Sequence, residues 1–143
     1  MKSVELQFVA FSIGNEEYCI DISKVREVKE MMPITKVPQA PDDVEGIVNL
    51  RGQVIPIVNL KKNLGYYEEN SLDNKIILVE LENEIVGFIV DDVSDVVTID
   101  EKEIEKPPGI LGASTHHIKG IVKKEGRLLL ILDVDKISSL KGF

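Results

Sequence analysis

One β-hairpin pattern is written twice in this chain. Val44-Glu-Gly-Ile-Val-Asn-Leu-Arg-Gly-Gln-Val-Ile-Pro-Ile-Val-Asn-Leu60 returns 74 positions later as Ile118-Lys-Gly-Ile-Val-Lys-Lys-Glu-Gly-Arg-Leu-Leu-Leu-Ile-Leu-Asp-Val134. Gly46, Ile47, Val48, Gly52 and Ile57 meet identical residues at Gly120, Ile121, Val122, Gly126 and Ile131. Upstream, Phe8 to Val28 aligns with Ile76 to Val96 at an offset of 68, so that Ile22, Val25 and Val28 meet Val90, Val93 and Val96. A repeat this long predicts two similar β units, and positions where the copies differ are where function is expected.

Composition sets the outer bounds. A chain of 143 residues can bury one core, or two small cores sharing an interface. Hydrophobic residues at 43% and charged ones at 29% give a globular balance. The formal charge of −8 opposes a phosphate backbone or an anionic membrane surface, so no nucleic-acid partner is expected. No apolar run approaches the roughly 20 residues that span a bilayer, and the first residues lack the apolar core of a signal peptide. Cys19 is the only cysteine, which rules out an internal disulfide and fits a reducing cytoplasm.

Residues 6–13 and 18–22 read as short strands around a Gly14-Asn15-Glu16-Glu17 turn, whereas Ile22 to Lys29 is ambiguous: a helical turn followed by a strand would place Val25 and Val28 on one side. Pro33, Pro38 and Pro41 impose an extended loop. The first hairpin turns at Arg51-Gly52, where glycine suits a positive φ. Pro56 cannot donate to a ladder, so an edge or bulge is expected there. A short helix is expected from Leu60 to Leu64, ending at Gly65. The second half repeats this plan, with strands at 75–82, 85–91 and 94–99, a loop from Pro107 to about His117, the second hairpin, and a short terminal helix from Asp135 to Leu140. The expected fold is therefore all-β: two five-stranded, SH3-like barrel subdomains packed together, with short helical turns. By the repeat they divide near residues 1–70 and 71–143, with exchange of strands between them left open.

Several of these residues also resemble a known family. Gly14-Asn15-Glu16-Glu17-Tyr18, Ile20-Asp21-Ile22 and Lys24-Val25-Arg26-Glu27-Val28 are similar to the opening of the bacterial chemotaxis coupling protein family, CheW. Gly46-Ile47-Val48-Asn49-Leu50-Arg51-Gly52 and Ile55-Pro56-Ile57-Val58-Asn59-Leu60 resemble its most recognisable stretch. Gly87, Asp91, Val93-Ser94-Asp95-Val96-Val97 and the Gly120…Gly126 hairpin continue the match over nearly the whole chain. The resemblance implies a non-enzymatic adaptor of two β-barrel subdomains. Its partners would be the cytoplasmic tips of methyl-accepting chemoreceptors and the regulatory domain of the histidine kinase CheA, joined in rings beneath membrane receptor arrays. A scaffold in another receptor–kinase pathway, such as surface motility, would have the same fold. A fused receiver domain would mark a dual-function coupler, and the sequence to Phe143 leaves no room for one.

Arg51 carries the sharpest functional signal. An arginine at a turn tip is ordinarily just solvated, yet its counterpart in the repeat is Glu125, so this charge is not needed to make the hairpin. Its planar donors suit a carboxylate, and Glu27 is a candidate partner within the chain. The resemblance places Val25, Glu27 and Arg51 on the receptor-facing surface. Gly46 and Asn49 flank apolar Ile47 and Val48 and read plainly as a strand entry and a ladder residue; Gly46 recurs as Gly120, which favours a structural role for it. Ile76 and Ile77 either line the same groove or belong to the core.

No constellation for catalysis, cofactor or metal stands out. The run Asp91-Asp92-Val93-Ser94-Asp95 reads as a solvated turn rather than a cation site. His116-His117 are adjacent and are the only histidines, too few for zinc. Cys19 lies in an apolar strand with no activating neighbour, and Gly109-Ile-Leu-Gly112 follows two prolines in an acidic β protein, unlike a nucleic-acid clamp. No phosphate loop or nucleophile elbow is present, so a β-barrel enzyme has no candidate residue to support it.

Overall fold

The computed structural model describes residues 4–66, 70–115 and 117–137. Among the described residues ten strands form: β1 (Glu5–Ile13), β2 (Glu16–Asp21), β3 (Val25–Glu30), β4 (Val44–Leu50), β5 (Gln53–Asn59), β6 (Lys75–Leu81), β7 (Glu84–Val90), β8 (Asp92–Asp100), β9 (Ile118–Lys124) and β10 (Arg127–Leu132). One short helix, α1 (Leu60–Asn63), follows β5, and 3-10 turns occupy Ile22–Lys24, Glu101–Glu103, Gly109–Thr115 and Val134–Lys136. Asn59 caps α1 by accepting the Lys62 N–H, and the Leu64 N–H closes its end on Leu60. The expected terminal helix is a 3-10 turn as far as Lys136; residues 138–140 lie outside the described residues.

The strands form two five-stranded sheets, β8-β1-β2-β10-β9 and β3-β6-β7-β5-β4. Replacing each strand by its repeat counterpart turns the first order into the second. Each sheet therefore takes its β1/β2-type hairpin from one copy and its other three strands from the other copy. In both, the hairpins meet through one short parallel ladder, Leu129–Ile131 against Glu17–Cys19 and Ile57–Asn59 against Gly87–Ile89. Pro56 stands just outside the second of these ladders, where its missing N–H is tolerated.

Side-chain alternation along the strands produces three cores. Phe8, Ala10, Cys19, Ile99, Val122 and Ile131 fill one face of the first sheet. Val48, Ile55, Ile57, Ile76, Leu78 and Ile89 do the same for the second. Between the sheets lies a shared core containing Phe11, Ile13, Tyr18 and Ile20 from one and Val58, Ile77, Val79 and Phe88 from the other. Adjacent residues such as Ile57 and Val58 thus enter different cores, which accounts for the unbroken apolar run there.

Each sheet curls until its edge strands approach. In the first, the Lys124 Nζ on β9 donates to the Thr98 carbonyl on β8 at 2.6 Å. The loop residues Thr35 and Glu105 then each pair with an edge strand, at Ile47 and Ile121, blunting edges that would otherwise recruit other chains. Gly46 is required by this crossing: its φ is +146°, and a Cβ there would overlap the Thr35 carbonyl. At Gly120 the obstacle is a side-chain methyl of Ile104, 2.5 Å from an added Cβ.

Candidate partner-binding site

The β4–β5 turn carries Arg51 at φ 51° and Gly52 at φ 83°, values of the hairpin turn whose twist matches its strands. Asn49 holds that turn, its side-chain oxygen accepting the Gly52 N–H at 3.0 Å. The turn reaches across the seam to β3, where the Arg51 Nη2 donates to the Glu27 Oε2 at 2.7 Å. Lys29, two residues on and on the same side of β3, donates to the other oxygen of Glu27 at 3.1 Å. Hydrogen bonds from Lys29 and then Arg51 hold the Glu27 carboxyl below its usual range. Arg51 remains 69% exposed, so most of its donors face water.

Val25 is half-buried beside this cluster and packs against the shared core, opposite Val79 on β6. Val25, Glu27, Asn49 and Arg51 therefore belong to one region at the seam of the second sheet, with Gly46 buried below at the loop crossing. Ile76 and Ile77 do not line this surface. Both are fully buried, Ile76 inside the second sheet and Ile77 in the shared core, because successive strand residues point to opposite, covered faces. Val28 also departs from expectation. It is exposed while Val25, Glu27 and Lys29 turn inward, since β3 alternates regularly and residues three apart on a strand point to opposite faces.

The sister seam solves the same problem with different residues. Asp95 occupies the position of Glu27 and is bound by Arg127, whose Nη2 lies 3.0 Å from the Asp95 Oδ1. Arg127 also grips Glu17 through Nε and Nη2, at 3.1 and 2.7 Å. These bonds push the arginine pKa up and hold Asp95 below the usual carboxylate range. Beside this network lies a cleft of about 420 Å³ lined by Glu5, Val96, Thr98, Lys124 and Glu125.

Sequence reasoning missed Lys29, although its two-residue spacing from Glu27 on a strand was a usable signal. It also took Asp91 for a solvated residue. Asp91 instead accepts from the Gly14 N–H at 2.6 Å and from the Lys61 Nζ at 2.8 Å. Cys19 is buried, with its thiol pushed up to about 12 by desolvation. His116 lies outside the described residues. Among the described residues, no helix is long and apolar enough to cross a membrane.

The family model described as CheW-like domain matches residues 7–141. The chemotaxis protein CheW of Thermotoga maritima is 36% identical over 133 residues, covering 93% of this chain and 87% of its own length. That of Rhizobium meliloti is 34% identical, covering 92% and 86%. A crystal structure of the scaffolding protein TtCheW from Thermoanaerobacter tengcongensis superposes with a TM-score of 0.84 at 40% identity, over 90% of this chain and 89% of that one. With the family model matching almost end to end and the doubled β architecture shared with a solved scaffold, this chain belongs to the CheW family of chemotaxis scaffold proteins.

Proposed function

We propose that this protein is a non-enzymatic adaptor that couples methyl-accepting chemoreceptors to the histidine kinase CheA, recruited from the cytoplasm to membrane receptor arrays. The observation that carries the reading is the Arg51–Glu27–Lys29 cluster: an exposed cation held in a fixed direction by a carboxylate at a sheet seam. A preorganised charge costs little to order on binding and fixes the register of a partner surface, while apolar contact supplies most of the affinity. Val25, Glu27, Asn49 and Arg51 form the receptor-facing surface in this reading, with Gly46 supporting it from below. Ile76 and Ile77 act through the core behind it.

Two related sheets suit an adaptor because they give one chain two similar but unequal faces, able to join different partners head to tail. Contacts that are modest individually gain strength when receptor and kinase are held together. Signal transfer then requires that receptor state change the relative affinity of the assembled forms. The test is co-sedimentation with vesicles displaying receptor cytoplasmic domains. Wild-type protein should pellet with receptor, and Arg51→Glu should lose that association while still binding the kinase. Equal pelleting of both proteins would contradict the assignment of this surface.

A further inference from the structure

A fully buried lysine stands at the junction of the two sheets. Lys61, on α1 directly after the second sheet, is only 2% exposed, and its Nζ lies 2.8 Å from the Asp91 Oδ1. Asp91 is the single residue between β7 of the second sheet and β8 of the first. Its carboxylate is divided between them. Oδ2 accepts the N–H of Gly14 in the β1–β2 turn, whereas Oδ1 takes Lys61 and, at 3.5 Å, the side-chain amide of Asn74 just before β6. The Asp91 N–H also donates to the Ser12 carbonyl on β1. Tyr66, beyond α1, reaches the same turn, with its ring against Gly14 and its hydroxyl 2.9 Å from that of Tyr18 on β2.

The repeat supplies an internal control. Counterparts of Lys61 and Asp91 are Asp135 and Ser23, and the ion pair at that second junction is Lys24–Asp135, at 3.6 Å with both side chains exposed. The fold therefore forms without a buried cation at this place. A solvated pair of that kind contributes little. Apolar packing between sheets is non-directional and tolerates small rotations. A carboxylate divided between two sheets does not, because rotation would pull it away from Lys61, leaving a buried cation without its partner.

We propose that Lys61–Asp91 is a registration lock: it sets the angle between the two sheets at one junction, leaving the Lys24–Asp135 side as the compliant one. If the adaptor reading above holds, the lock also fixes the spacing between the surfaces offered to receptor and kinase. The lock itself is tested on the isolated protein, so its failure and that of the adaptor reading are separable.

The experiment places spin labels at Val54→Cys on the second sheet and Leu128→Cys on the first, both exposed, with native Cys19 buried and left unlabelled. Pulsed dipolar distance distributions are compared between the otherwise wild-type protein and Lys61→Met, which removes the buried charge at similar length. The lock predicts cooperative unfolding in both and a distribution that broadens or splits only in Lys61→Met. Asp91→Asn, which keeps an acceptor for Gly14, should give the same change. An unaltered distribution in a folded variant overturns the proposal. So does failure of both variants to fold, since the pair would then be a requirement for folding rather than a determinant of register.

Discussion

Arg51 and Glu27 meet at 2.7 Å across the seam of one sheet, whereas the acid equivalent to Glu27, Asp95, is met in the other sheet by Arg127, the first strand residue after the turn. The two copies close the same seam from different positions, and only one of them spends a turn-tip residue on it. The turn itself is indifferent to charge: Arg51 and Glu125 share φ 51°, each followed by a glycine with positive φ.

Arg51→Glu should therefore leave the fold intact. The loss is one exposed ion pair plus repulsion from Glu27, a small effect between solvated, screened charges. Thermal unfolding should remain cooperative with a midpoint within a few degrees of wild type. A collapse of cooperative unfolding would make Arg51 structural.

Glu27 gives a pH signature. Its carboxyl is held low in the folded protein, so the stabilisation this provides is fully present above the unfolded value of about 4.3. It is lost as pH falls through the lower folded value. Carboxyl-detected NMR should place the Glu27 midpoint below that range, and Arg51→Glu should move it upward. A midpoint indifferent to that substitution would show that Lys29 alone holds the carboxylate.

The two repeated glycines should differ in cost. Gly46→Ala meets a backbone carbonyl at a φ that L residues avoid, and should destabilise on the order of 3 kcal/mol. Gly120→Ala meets only the movable end of Ile104 and should cost about 1 kcal/mol. Denaturant unfolding of the two variants checks the order, and equal losses would contradict it.

Much of the fold could be read from the chain because its signals are local. Glycine at the hairpin tips, prolines in the loop and apolar repeats in the strands each act within a few residues. The exchange of strands between copies was left open, since a repeat says which strands are alike and not which copies pair. Ile76 and Ile77 were ambiguous because an isoleucine in a core and one in a groove carry the same side chain. Lys61 was invisible for another reason: a lysine in Asn59-Leu-Lys-Lys-Asn63 looks solvated until Asp91, from a distant part of the chain, is folded against it.

Cys19 should be inert in the native protein. Burial with a thiol pushed up to about 12 leaves almost no thiolate at pH 8. Alkylation by iodoacetamide should proceed only as fast as unfolding exposes the residue, and rapid labelling under native conditions would contradict its placement in the first sheet's core.

The most direct test of the adaptor account is ATP turnover by a cognate CheA kinase with receptor-bearing membranes, with and without this protein. The account predicts strong stimulation that requires all three components and falls with Arg51→Glu. Stimulation that is absent with the folded wild-type protein, or unchanged by Arg51→Glu, would contradict it.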